Sequence, residues 1–177
     1  MIFEKQKGIP KFECMEYQKK TKDYVVLIPI INEGERISKE LKRAKKYQVS
    51  EYADIVICDG GSTDGCTEEK NLRSLDVNTL LVKMDVGKQG AQLRMGFWWA
   101  LKRGYKGIIT IDGNNKDSIE DVPRFIEKLK EGYDLIQGSR FVKGGTVRVV
   151  QGDAFYQDCF CRVQCSGVNN VRGAGRF

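Results

Sequence analysis

The chain has no histidine among its 177 residues. That excludes Ser-His-Asp and Cys-His catalysis, histidine-ligated zinc and imidazole proton shuttles. Any acid, base or metal ligand has to be an aspartate, glutamate, lysine, cysteine, tyrosine or amide. Long hydrophobic runs are also missing. None approaches the ~20 residues of a membrane span, so the chain is not expected to cross a bilayer by itself. The first residues, MIFEKQKGIPKFECMEYQKK, lack the apolar stretch of a secretory signal, which predicts a cytoplasmic, reducing setting with free thiols. No RNA-recognition or zinc-finger pattern is present, so nucleic acid is not an expected partner despite a pI near 9.0.

What is present suits one soluble domain. Thirty Lys and Arg against 24 Asp and Glu leave a net charge of +6, and 31% of residues are charged. Of the six cysteines, Cys58 falls in an apolar run and reads as a core thiol. Cys159, Cys161 and Cys165 form a CxCxxxC pattern that alone is a weak metal signal. The composition shifts late: from Gly144 to Phe177 there is no Leu, Ile, Lys or Glu. The expected organisation is a basic lead over 1–22, an α/β domain over 23–145 and a flexible tail over 146–177. A departure of the reading frame near Gly145 is a sharper account of the same shift.

Within the central part, strands and helices alternate. Tyr24–Ile31 is a continuous apolar run, as in a buried parallel strand. Ile37, Leu41 and Ala44 share one helical face. Ala53–Asp59, Thr79–Val82, Gly107–Ile111 and Tyr133–Gln137 read as further strands. Leu93, Phe97 and Leu101 mark a helix over 88–103; of the adjacent Trp98 and Trp99, only one can face the core. Ser118-Ile-Glu-Asp121 resembles a capping box, followed by Val122, Ile126 and Leu129 at helical spacing. This alternation predicts a mostly parallel sheet with helices on both faces, whose ligands bind beyond the carboxyl ends of the strands.

Those ends carry polar groups. Asn32 and Glu33 follow the first strand, Asp59 ends the second, Asp112 the fourth, and Arg140 lies after the fifth. Burial does not select carboxylates there, so their regular recurrence points to a site. The first loop, Asn32-Glu-Gly-Glu-Arg36, is neither GxGxxG nor a P-loop. Its carboxylates suit base N–H groups and ribose hydroxyls as acceptors. Lys88, at a helix start, is one source of positive charge for phosphates, and a divalent ion on Asp112 is another. Each residue also has a plainer reading: Asp59 as the cap of its own turn with Ser62 and Thr63, Asp112 as a turn residue, Lys88 as solvated surface.

Five motifs in order resemble the family 2 glycosyltransferases of the GT-A fold, nearest the dolichyl-phosphate mannosyltransferase or polyprenyl-phosphate branch. They are Val25-Val-Leu-Ile-Pro29 with Asn32-Glu33, Asp59-Gly-Gly-Ser-Thr-Asp64, Gly87-Lys-Gln-Gly-Ala91, Ile111-Asp112 and Gly138-Ser-Arg140. The resemblance covers about residues 22–145 and implies a GT-A sheet, incomplete at its C-terminal end. It implies that Pro29, Asn32, Glu33, Asp59 and Lys88 hold the nucleotide, with Asp64 supporting the turn that carries Asp59. Asp112 and Asn114 would bind Mg or Mn, and Arg140 would meet an acceptor phosphate. Asn114 stands where the family has a second carboxylate, and Lys116 lies close by, so metal affinity is expected to be weak. The implied reaction is inverting transfer from a nucleoside-diphosphate sugar, with a lipid phosphate favoured as acceptor because it is already ionised. Peripheral contact with the cytoplasmic membrane surface fits such an acceptor, and a homodimer is compatible with it. The alternative is a catalytically inactive, nucleotide-binding fragment.

Overall fold

The computed structural model describes residues 1–139 and, beyond them, the backbone of strands Thr146–Val149, Gln157–Phe160 and Arg162–Cys165. Arg140, the CxCxxxC side chains and most of the expected tail lie outside the described residues.

Four strands form the parallel centre: β3 (Tyr24–Ile30), β4 (Asp54–Asp59), β5 (Val77–Lys83) and β6 (Gly107–Thr110). Two more extend the β5 side, β1 (Ile2–Phe3) and β2 (Phe12–Glu16), giving the order β1-β2-β5-β4-β3-β6. The lead expected over residues 1–22 contributes these two strands to the sheet. β2 runs antiparallel to β5, and Phe12 and Cys14 are buried there. Its alternation Phe-x-Cys-x is too short to stand out; pairing with β5 creates the strand. The expected fifth strand also differs. It forms later, as β7 (Ile136–Ser139), and pairs antiparallel with the strand Arg162–Cys165 instead of joining the six-stranded sheet.

Side chains of β3 and β4 alternate between two cores, as the pleat requires. Val26, Ile28, Ile55 and Ile57 face α1 (Glu35–Lys46), α2 (Glu69–Ser74) and α4 (Val122–Lys130). Val25, Leu27, Val56 and Cys58 face α3 (Gln89–Lys102). Helices therefore cover both faces, and the fold is the GT-A-like α/β arrangement expected. Ile37, Leu41 and Ala44 are buried as their spacing predicts, and so are Ile119, Val122 and Ile126. The capping box does not form, since Ser118 makes no side-chain cap to the short 3-10 turn Ile119–Asp121.

The helix at α3 is where it was expected, but its inner face is not. Phe97 and Leu101 are exposed, while Ala91, Met95, Gly96, Trp99 and Ala100 are buried. Small residues let the helix approach the sheet closely, and this outweighs the apolar spacing of the bulkier ones. Trp99 is buried and Trp98 half-buried, as adjacency required. A Cβ on Gly96 would lie 2.7 Å from Cys58 Sγ and 2.9 Å from Leu27 Cδ1. Gly96→Ala should therefore destabilise the fold by about 1–2 kcal/mol, because overpacking outweighs a helix-propensity gain near ~1 kcal/mol. An unchanged midpoint in urea unfolding would show that α3 moves outward without cost.

Candidate functional site

At the carboxyl ends of β3, β4 and β6, with the start of α3, lies an open cavity of about 400 Å³. Pro29, Glu33, Lys88, Asp112 and Asn114 line it together with Gly60, Gly87, Gln89, Gln92 and Gly113. The structure thus brings five of the sequence candidates to one place. Asn32 and Asp59 are not on its lining but build the wall behind it.

Asp59 is buried, and its carboxylate is spent on its own loop. Oδ2 accepts N–H groups from Gly61 at 3.1 Å and Ser62 at 2.9 Å, and Oδ1 accepts the Ser62 hydroxyl at 2.5 Å. Ser62 Oγ in turn accepts the Asn32 N–H at 2.9 Å, and Asn32 Oδ1 accepts the Thr63 N–H at 2.8 Å. Asn32 reaches this bond with φ 51°, a left-handed conformation that asparagine tolerates better than most residues. Asp64 ties the same two loops from the outside, accepting from Gly34 N–H at 2.8 Å and Cys66 N–H at 3.1 Å. The Cys66 thiol, its N–H and the Gly34 N–H hold the Asp64 carboxyl below its ordinary range. The support role expected for Asp64 matches this geometry.

Positive charge enters from α3. Its first turn carries no acidic residue of its own, so Lys88 and the N–H groups of the helix start present a positive end to the cavity, with the Asp112 carboxylate held close by on Gln89. Gly87 makes the approach with φ 129°, where a Cβ would also strike Ala91 at 2.8 Å. Gln92 Nε2 donates to the Ile30 carbonyl, fixing α3 against the end of β3. A Cβ on Gly60 would sit 2.6 Å from that amide nitrogen. Glu33 Oε2 is buried and ion-paired with Arg36, 2.9 Å from its Nε, without an aligned hydrogen bond.

Across the cavity, Asp112 Oδ1 accepts from Gln89 Nε2 at 2.6 Å. Asn114 Oδ1 accepts the Lys116 N–H at 3.0 Å. No cluster of three or more Cys, Asp or Glu side chains suited to a metal ion occurs among the described residues. Sequence reasoning missed Gln89 and Gln92, although both follow Lys88 within reach of one helical turn. Among the described residues, no helix is long and apolar enough to cross a membrane.

No family model matches the chain. It is 31% identical over 131 residues to the polyprenol monophosphomannose synthase of Mycolicibacterium smegmatis, covering 72% of this chain and 49% of that protein. It is 32% identical over 124 residues to the undecaprenyl-phosphate mannosyltransferase of Micrococcus luteus, covering 68% and 49%. It is 28% identical over 156 residues to the undecaprenyl-phosphate 4-deoxy-4-formamido-L-arabinose transferase of Aeromonas hydrophila, covering 84% and 44%. The chain spans about half the length of the curated relatives it matches. A mostly parallel sheet with helices on both faces and a polar cavity at its strand ends defines a GT-A-like α/β fold. The relatives it matches are named as polyprenol- and undecaprenyl-phosphate sugar transferases, in line with the resemblance to the family 2 glycosyltransferases.

Proposed function

We propose that the chain carries the donor site of a glycosyltransferase that moves a sugar from a nucleoside diphosphate onto a polyprenyl phosphate. The observation that carries this is the convergence of Pro29, Glu33, Lys88, Asp112 and Asn114 on one cavity beside a helix start free of acidic residues. The relatives' names supply the acceptor class.

In this reading the base and ribose lie against Pro29 and Glu33, on the wall that Asn32 and Asp59 brace. The diphosphate faces Lys88 and the α3 N-terminus. Attack by an acceptor phosphate oxygen forms the new C1–O bond while the C1–O bond to the diphosphate breaks, its electron pair leaving on the β-phosphate oxygen. Attack opposite the leaving group inverts the anomeric carbon. The acceptor is already ionised, so no general base is required. Arg140 is proposed to meet that phosphate. The bilayer holds such an acceptor, so the site works at a membrane surface.

Asp112 and Asn114 offer hard oxygens suited to Mg²⁺ or Mn²⁺. Asp112 Oδ2 takes no hydrogen bond among the described residues, whereas Asn114 is neutral and its Oδ1 already accepts the Lys116 N–H, so the pair would hold such an ion only weakly. When bound, that ion would neutralise charge on the leaving diphosphate.

Calorimetric titration with UDP- and GDP-sugars, first with a chelator and then with Mn²⁺, tests the donor site. Lys88→Ala should weaken binding about tenfold, the loss of roughly one charge-assisted contact. Asp112→Asn should remove most of the Mn²⁺ enhancement and Asn114→Asp should increase it. Binding of neither nucleotide under any condition rejects the reading. Binding without turnover onto a polyprenyl phosphate favours the inactive, nucleotide-binding alternative, to which the neutral Asn114 gives some weight.

A further inference from the structure

We infer that Arg43 and Glu40, one turn apart on α1, are positioning residues that set the 112–117 loop and, through it, the affinity of the donor site. This rests on the donor site proposed above. Neither residue touches the cavity, and neither stood out in the sequence as functional.

Arg43 Nη1 donates to Asn115 Oδ1 at 3.0 Å and Nη2 to the Asp117 carbonyl at 3.0 Å, and Nη2 also pairs with Glu120. Glu40, with no exposed surface, accepts the Asn115 N–H on Oε2 at 3.2 Å. Asn115 sits at φ 61°, the left-handed region that asparagine tolerates better than most residues, and its neighbours hold it there. Here the neighbours are both on α1: one holds its side chain, the other its N–H. Asp117 passes the constraint on, because its Oδ2 accepts the Asp112 N–H at 3.2 Å. Gly113 completes the fit, since a Cβ there would lie 2.4 Å from Ile30 Cγ2. The segment bearing Asp112 and Asn114 is thus clamped at 115 and 117 by α1 and pressed onto β3 at 113.

The cost of this arrangement identifies its use. Glu40 Oε1 is buried with no hydrogen-bond partner. A buried carboxyl with one idle oxygen weakens a fold, where leucine at the same helical position would strengthen it. The other oxygen gives the loop something leucine cannot, an acceptor for Asn115.

The test is titration of the full chain with UDP and GDP, with and without Mn²⁺, for wild type, Arg43→Ala, Glu40→Leu and Glu40→Gln. Hydrogen exchange of the Asn115 amide is followed in parallel. Folded Glu40→Leu and Arg43→Ala proteins should bind about tenfold more weakly, the equivalent of one lost constraint. Glu40→Gln keeps a carbonyl acceptor and should stay within about threefold of wild type. The Asn115 amide should exchange faster in Glu40→Leu and at the wild-type rate in Glu40→Gln. Wild-type binding with unaltered affinity in both Glu40→Leu and Arg43→Ala overturns this inference alone. A wild type that binds neither nucleotide overturns the donor site and this inference with it.

Discussion

Asp59→Ala should abolish nucleotide binding and lower stability by about 2–4 kcal/mol, while Asp59→Asn preserves most of both. A hydrogen bond to a charged group contributes about 1.5–3 kcal/mol, and donors left without an acceptor add their own desolvation cost. Alanine removes the acceptor for Gly61, Ser62 and the Ser62 hydroxyl at once. Ser62 then no longer holds Asn32, and the wall behind Pro29 and Glu33 loosens. Asparagine retains one oxygen and the same shape, so the loop survives in part. The two variants separate two roles for the carboxylate. Urea unfolding with nucleotide titration checks this: a folded Asp59→Asn protein that binds no nucleotide would mean the charge itself meets the nucleoside.

Glu40→Gln should raise stability at pH 8 by a few kcal/mol and flatten its pH dependence. Burial pushes the Glu40 carboxyl up to about 8; the Asn115 N–H and Arg43 oppose this, and Asp117 and Asp112 reinforce it. In the unfolded chain the group titrates near 4.5. Between these values the folded state keeps a proton that the unfolded state has released. Stability contributed by the protonated form is therefore complete below about pH 4.5, falls by up to ~1.4 kcal/mol per unit as pH rises, and is lost above about pH 8. Glutamine has no proton to lose and still accepts from Asn115. Unfolding free energies at pH 5, 6, 7 and 8 decide the matter: parallel curves for wild type and variant would show that Glu40 is already ionised in the folded protein.

Much of this site is legible in the sequence. Pro29, Glu33, Asp112 and Asn114 lie at or just after strand ends and Lys88 at a helix start, and a parallel sheet delivers such positions to one rim whatever its details. Asp59 was legible only in outline. Its spacing to Ser62 and Thr63 allowed either a ligand contact or a turn cap, and the choice lay in where its two oxygens point. Glu40 was in principle readable, since Ile37, Leu41 and Ala44 define a face on which position 40 also falls. A charged residue there departs from the apolar pattern, and its partner, Asn115, is 75 residues away along the chain.

The sequence by itself determined the alternation of strands and helices, the polar rim and the family relation, because each rests on local periodicity or short motifs. Only the tertiary structure decided which faces pack and which side chains are already engaged. α3 turns Gly96 and Ala100 to the sheet instead of Phe97 and Leu101, because the space above Leu27 and Cys58 admits a helix only at close range. β2 becomes a strand because β5 offers it an open edge. Asp112 meets Gln89, and Arg43 meets Asn115 and Asp117, through contacts between distant segments. Such pairings depend on how elements stack in three dimensions, and no local pattern of residues encodes them.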